Sequence, residues 1–168
     1  MINDVHDLFS GTWVTPPGDL ARRAAALQGL CFDWDGVFNP GVKGPDMPSP
    51  FAEPDAMGLN LLRFALYQQR GRLPFCAIIT GMPNPGAVAF ARRERFDAVV
   101  WGALDKQSAF AALAEHYHLA PESLLWMYDD VLDLPVARQA GVRVCVGRAA
   151  APLLARYVQQ HHLADYIT

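Results

Sequence analysis

Apolar residues in this chain gather into short runs, with helical patterns between them. The runs GLCFDWD (29–35), PFCAIIT (74–80), FDAVVWG (96–102), SLLWMYDD (123–130) and VRVCVG (142–147) show little polar alternation. Runs of this length predict strands buried on both faces. A short helix is expected over residues 19–28. From Asp55, a candidate cap, Leu59, Leu62 and Leu66 recur on one helical face, and Gly71 lies just past the end. Residues 85–95 read as a helix with Val88 and Ala91 inward and Arg92, Arg93 and Arg95 towards water. Residues 105–117 place Phe110, Leu113, Ala114 and Tyr117 at helical spacing. VLDLPVARQAG predicts a short helix ending at Gly141, residues 150–161 a last helix, and ADYIT an edge strand. Alternation of this kind predicts an α/β three-layer sandwich around a central parallel sheet. Such sheets bind ligands beyond the carboxyl ends of their strands.

Two stretches break the pattern. Residues 1–18 lack periodicity and end in Thr-Pro-Pro-Gly, which predicts an irregular arm before a single core domain over 19–168. Residues 38–55, FNPGVKGPDMPSPFAEPD, are rich in proline. Proline lacks the N–H a strand ladder needs, so a flap over the sheet edge is expected.

Composition narrows the function. The chain is 52% hydrophobic and 18% charged, which fits a folded domain rather than a disordered one. A formal net charge of -3 and the lack of any basic stripe argue against nucleic-acid binding. No apolar stretch has the length of a membrane span, and the N-terminal residues do not read as a secretory signal. Cys31, Cys76 and Cys145 sit inside apolar runs without a CxxC pair, as expected of buried thiols in a cytoplasmic protein. Trp34, Trp101 and Trp126 read as packing groups. The pairs His116/His118 and His161/His162 make poor metal sites.

The chemistry concentrates at four strand ends: Asp33-Trp34-Asp35-Gly36, Thr80-Gly81, Asp105-Lys106 and Asp129-Asp130. Asp33 and Asp35, two apart in an extended segment, point the same way. Either they make an ordinary Asx turn, or Asp33 attacks phosphorus while Asp35 moves the proton. Thr80 and Gly81 suit phosphate binding by a hydroxyl and a backbone N–H. Lys106 falls in the first turn of a helix, where the macrodipole disfavours a cation. It is either a surface lysine or leans over the strand edge to offset phosphate charge. Asp129 and Asp130, with Asp133 behind them, offer carboxylates to Mg²⁺ or cap a helix. Asp33 and Asp129 are the pair read as metal-binding carboxylates.

Receiver domains use similar groups, but their acidic pair comes early in the chain. Here it comes last. The order instead resembles the haloacid dehalogenase-like (HAD) phosphohydrolase superfamily: GLCFDWDGVF its first motif, AIITG its second, DK its third and YDDVLD its fourth. The likeness is greatest to the capless 3-deoxy-D-manno-octulosonate 8-phosphate (KDO 8-phosphate) phosphatases. It extends through DGVFNPG, DAMGLNLL, VVWGALDKQSAF, DDVLDLPVARQAGV and ADYIT, over roughly residues 22–168.

The resemblance implies a Rossmannoid core without a large cap. It implies a Mg²⁺-dependent phosphatase that cleaves a small phosphorylated metabolite, such as an acidic sugar phosphate, through an aspartyl-phosphate. Asp33 would be nucleophile and metal ligand. Asp35 would be acid/base and give its backbone carbonyl to the metal. Thr80 and Gly81 would bind phosphate, Lys106 would neutralise charge, Asp129 would bind metal, and Asp130 would support the metal or Lys106. A homotetramer, with the flap closing a neighbour's site, is also implied. The chain departs from the group at Met82, where Arg is usual, at Tyr128, where Gly is usual, and in its Pro-rich flap. A non-catalytic binding module and a phosphotransferase are the alternative readings.

Overall fold

The computed structural model describes residues 9–42 and 50–168. Residues 43–49 of the expected flap therefore lie outside the described residues. The elements run β1 (Thr12–Trp13), α1 (Pro17–Ala25), β2 (Gly29–Phe32), α2 (Glu53–Arg70), β3 (Phe75–Thr80), α3 (Pro85–Glu94), β4 (Ala98–Trp101), α4 (Lys106–His116), β5 (Leu124–Tyr128), α5 (Leu134–Ala137), β6 (Val142–Cys145), α6 (Pro152–Gln160) and β7 (Tyr166–Ile167). Single 3₁₀ turns precede β5 and α5.

Seven strands form one sheet in the order β1-β7-β6-β5-β2-β3-β4, and every pairing is parallel except β1 with β7. The chain builds outward from β2 through β3 to β4, then returns to the other side of β2 with β5. The carboxyl ends of β2 and β5 thus flank the place where strand order reverses, the usual ligand crevice of such a sheet.

The strand runs are apolar because helices cover both faces. One face packs Phe110, Leu113 and Ala114 of α4, Val136 of α5 and Val158 of α6 against Cys31, Ala77 and Trp126. The other packs Ala56, Leu59 and Leu66 of α2 and Phe90 of α3 against Leu30, Ile78 and Leu125. Trp34 joins this second core, stacked on Phe38 and tilted against Phe90. Cys31, Cys76 and Cys145 are buried and unpaired.

Several boundaries differ from those expected. α2 starts at Glu53 with Ala52 as the flanking residue, so Asp55 lies in its first turn and does not cap it. Pro54 fits there because the first helical N–H groups need no intrahelical acceptor. Gly71, at φ 68°, closes the helix in the left-handed conformation. Part of the expected irregular arm pairs as β1, Thr12 opposite Ile167 and Trp13 opposite Tyr166, so β7 is not an edge strand. A two-residue strand is too short to leave a period in the sequence. Trp101 is not a packing group: it ends the edge strand β4 and is more than half exposed. No helix among the described residues is long and apolar enough to cross a membrane.

The two chain ends are locked together by one buried acid. Asp165 accepts hydrogen bonds from Thr15 Oγ1, Arg23 Nη1 and Arg143 Nη2 at 2.7–2.8 Å, and from the Arg143 backbone N–H at 2.8 Å. Burial opposes ionisation, but Arg143, Arg23 and Thr15 outweigh it and hold the carboxyl at about 2, below its ordinary value. A depressed folded pKa means the stabilisation is present above the unfolded value near 3.9 and is lost as pH falls through about 2. Asp165→Asn, which leaves two arginines without their buried partner, is expected to cost about 3–5 kcal/mol in urea unfolding at pH 7. The difference from wild type should shrink steadily between pH 4 and pH 2.

Candidate active site

Strand register brings the motifs together. Phe32, Ile78 and Met127 lie side by side across β3-β2-β5. Asp33 is one residue beyond that row; Thr80 and Asp129 are two beyond it. With about 3.3 Å per residue and about 4.8 Å between strands, all three fall within one small anion's reach. Because side chains alternate, Trp34 goes into the core while Asp33 and Asp35 line the cleft. The cleft holds about 400 Å³ and is also lined by Gly41, Thr80, Gly81, Met82, Leu104, Lys106, Asp129, Asp130 and Leu132.

Lys106 is placed by its neighbour. Asp105 caps α4, its carboxylate accepting from the Ser108 N–H at 3.0 Å and the Ser108 hydroxyl at 2.6 Å. This starts the helix with Lys106 turned inward, 8% exposed. Its Nζ lies 2.9 Å from Asp33 Oδ1 and 2.7 Å from Asp133 Oδ1. Lys106 is therefore not a surface lysine, and two carboxylates offset the unfavourable dipole.

One ammonium does not neutralise two buried carboxylates and a third beside them. Burial lowers the Lys106 pKa, yet Asp33 and Asp133 outweigh it and leave the value raised. Burial raises Asp33 more than Lys106 lowers it. Burial, then the charge of Asp33, pushes Asp133 up to about 7. Asp129 is raised by burial against the pull of Arg148. Lysine and acids are thus all shifted upward, the carboxylates by burial first and by neighbouring carboxylates second, the lysine by Asp33 and Asp133. Such a cluster gains by taking a proton or a cation.

The geometry suits a cation. One oxygen each from Asp33, Asp129 and Asp133 lies within 4.8 Å of the others. Asp133 Oδ2 is buried and has no hydrogen-bond partner among the described residues. These residues fit a hard divalent ion that takes carboxylates and keeps several waters.

Three residues at the site, Arg148, Asn84 and Asn39, escaped the sequence reading, and a fourth, Asp133, was read only as a further acid. Asp133, fully buried, makes a contact to Lys106, one of the two supporting roles that the resemblance left open for Asp130. Asp130 instead accepts from the Leu132 N–H at 3.0 Å and caps the 3₁₀ turn that carries Asp133 inward. Arg148 donates from Nε to Asp129 Oδ2 at 3.0 Å and from Nη2 to the carbonyl of Gly36. Asn84 donates to Asp35 Oδ1 at 3.4 Å. Asn39 donates to the Trp34 carbonyl at 3.3 Å and accepts from the Gly41 N–H at 2.9 Å, folding the loop after β2. The third acid of YDDVLD and the Asn-Pro pairs at 39–40 and 84–85 were readable signals; nothing local marks Arg148. Tyr128 turns away from the cleft, and its hydroxyl donates to the Leu163 carbonyl at 2.9 Å. Its bulk therefore does not crowd the carboxylates.

No family model matches the chain. It is 28% identical over 155 residues to the 3-deoxy-D-manno-octulosonate 8-phosphate phosphatase KdsC of Escherichia coli, covering 89% of this chain and 74% of that protein. The crystal structure of a 3-deoxy-D-manno-octulosonate 8-phosphate phosphatase from Yersinia pestis matches with a TM-score of 0.71 at 28% identity, over 89% of this chain and 76% of that one. A Legionella pneumophila protein assigned to the HAD superfamily (subfamily III A) hydrolases gives 0.72 at 28% identity, over 90% and 78%. In sheet order, motif order and these likenesses the chain is similar to the phosphohydrolases of the HAD superfamily. Within that superfamily the likeness is to the KDO 8-phosphate phosphatases, which supports a HAD-type phosphatase.

Gly36 tests how tightly this site is built. Its φ is 84°, and a Cβ there would lie 1.6 Å from Asp129 Oδ2. Gly36→Ala is expected to displace Asp129 and to cost at least about 1–2 kcal/mol in chemical denaturation from the left-handed backbone alone.

Proposed function

We propose that this protein is a Mg²⁺-dependent phosphomonoesterase that hydrolyses a small phosphorylated metabolite through an aspartyl-phosphate on Asp33. The observation that carries this reading is Lys106 Nζ held between Asp33 and Asp133 beside Asp129, at the carboxyl edge of the sheet. Asp33 and Asp129 would hold the ion with their carboxylates, Asp35 through its backbone carbonyl, and Asp133 stands beside them. A bound Mg²⁺ supplies positive charge that offsets the phosphoryl oxygens and relieves the surplus of carboxylates.

The chain's own groups account for the rest. Thr80 and the Gly81 N–H receive the phosphoryl oxygens, and Lys106 balances their charge and favours the ionised form of Asp33 against its burial. An Asp33 carboxylate oxygen forms a bond to phosphorus as the bond from phosphorus to the ester oxygen breaks. Asp35, oriented by Asn84, gives its proton to the departing oxygen. Asp35 then takes a proton from water, whose oxygen bonds to phosphorus and releases Asp33 and inorganic phosphate. Positioning and charge stabilisation supply most of the acceleration in phosphoryl transfer.

The relatives' names refer to KDO 8-phosphate, so an acidic sugar phosphate is the substrate class they bring to this chain. Three buried, unpaired thiols fit a reducing cytoplasm.

Release of p-nitrophenol from p-nitrophenyl phosphate is expected to require Mg²⁺ and to fall at least about 10³-fold in Asp33→Asn. Equal rates in the two proteins would refute the proposal. Arg148→Ala, which frees Asp129 from its fixing hydrogen bond, is expected to raise the half-saturating Mg²⁺ concentration by about tenfold or more.

A further inference from the structure

We infer that Asn84 is the positioning residue for the acid that protonates the leaving alcohol, and that it thereby decides how well the site cleaves unactivated alkyl esters. The inference rests on the phosphomonoesterase reading above and deepens it. It concerns the side of the reaction that faces the ester oxygen, not the carboxylates that would meet the metal.

Asn84 sits between Pro83 and Pro85 in the turn from β3 to α3. The ring of Pro83 fixes one torsion before it. The ring of Pro85 drives Asn84 into the extended region, where it is found at φ -132° and ψ 96°. Asn84 flanks the first turn of α3, a place that favours asparagine because its side-chain oxygen can accept from the helix's free N–H groups. Among the described residues the side chain makes no such capping bond. Asn84 is instead 6% exposed, and its Nδ2 donates to Asp35 Oδ1 at 3.4 Å. A buried amide is thus spent on a residue 49 positions earlier rather than on its own helix.

Asp35 lines the cleft on the loop that leaves β2, two residues after Asp33. A carboxyl group there can turn about its own bonds, and a misdirected acid protonates nothing. An amide N–H only donates, so it needs an oxygen with a lone pair directed at it. That makes Oδ1 the accepting oxygen and leaves the acid's proton on Oδ2. As an Asp33 oxygen bonds to phosphorus and the ester bond breaks, the electron pair of that bond stays on the departing oxygen and takes this proton. The need for it depends on the alcohol. A nitrophenolate leaves as a stable anion, whereas an alkoxide needs the proton as the bond breaks. A contact of 3.4 Å in the free protein is one that can shorten when substrate is bound.

The test measures kcat/KM, which reports phosphoryl transfer to Asp33 without the later hydrolysis, for p-nitrophenyl, phenyl and benzyl phosphate. Their alcohols rise in basicity in that order. The full chain is used in saturating Mg²⁺. In Asn84→Ala the benzyl-to-p-nitrophenyl ratio is expected to fall about tenfold or more from its wild-type value, with phenyl phosphate between. Asn84→Asp separates positioning from capping. Aspartate has the same shape and is as good a cap, so a capping role predicts an unharmed enzyme. It has no N–H to give and repels Asp35, so the positioning role predicts a ratio that falls at least as far. Thermal melting checks that both variants are folded.

A ratio unchanged in either variant would overturn the inference whatever the fall in overall rate, because a general loss of structure slows all three esters alike. So would two variants that both fail to fold, which would mark Asn84 as a structural residue. A wild-type protein that cleaves p-nitrophenyl phosphate and leaves benzyl phosphate untouched would overturn it as well, since no aimed acid would then be at work. A wild-type protein that cleaves none of the three would refute the phosphomonoesterase reading itself, and the role of Asn84 would fall with it.

Discussion

The site depends on one buried ammonium shared by two carboxylates. Lys106 reaches Asp33 and Asp133 at hydrogen-bond distance in a place that water scarcely enters. Burying three charges costs several kcal/mol per ion before their attraction repays it, so such a cluster is not a device for stability. It persists because the rest of the fold holds its members in place. Asp33 continues the β2 ladder, its N–H donating to the Met127 carbonyl. Lys106 is fixed by a capped helix, and Asp133 by a 3₁₀ turn that Asp130 caps. With Asp129 added, the cluster carries more negative charge than Lys106 balances. That imbalance makes it a place for a cation and, beside the cation, for a phosphoryl group.

Topology turns four distant motifs into one site. The reversal of strand order beside β2 leaves a crevice between its carboxyl end and that of β5. Asp33 and Asp129 face each other across it, and β3 delivers Thr80 from the other side. The positive φ of Gly36 lets the chain turn away at once, and the absent Cβ lets Asp129 approach. Arg148 ties the same turn to Asp129. The loop after β2 and the acid after β5 are thereby one mechanical unit, although more than ninety residues separate them in the chain.

What was legible in the sequence and what was not divide along physical lines. The central strands stood out because burial on both faces removes polar residues from them, and their order set the sheet. The helices were legible from their apolar faces, with boundaries that slipped where Pro, not an acid, opens the helix, as at Glu53–Pro54. β1 left no trace because two residues carry no period. Asp33, Thr80, Lys106 and Asp129 could be read because each sits at a strand end or a helix start. Asp133 was visible only as a further acid for Mg²⁺ or a cap, while support of the metal or of Lys106 was expected of Asp130. A cap turned Asp130 outward and Asp133 inward instead. Arg148 could not be read at all, because its meaning lies wholly in what the fold sets beside it.

The same division separates the groups that act on phosphorus from those that meet the rest of a substrate. Groups of the first kind are held by backbone: ladder register, a helix cap, a left-handed glycine. Their positions follow from the sheet, so they survive large changes elsewhere in the sequence. The residues that face a leaving alcohol, Met82, Leu104 and Leu132, come just after the strands, where side chains are exposed and little packing restrains them. Exchanging one of these alters charge and polarity at the mouth without disturbing the triad of Lys106, Asp33 and Asp133 beneath it. A scaffold of this construction can therefore keep one reaction while its substrate changes, and a relative's substrate is weaker guidance for this chain than a relative's chemistry.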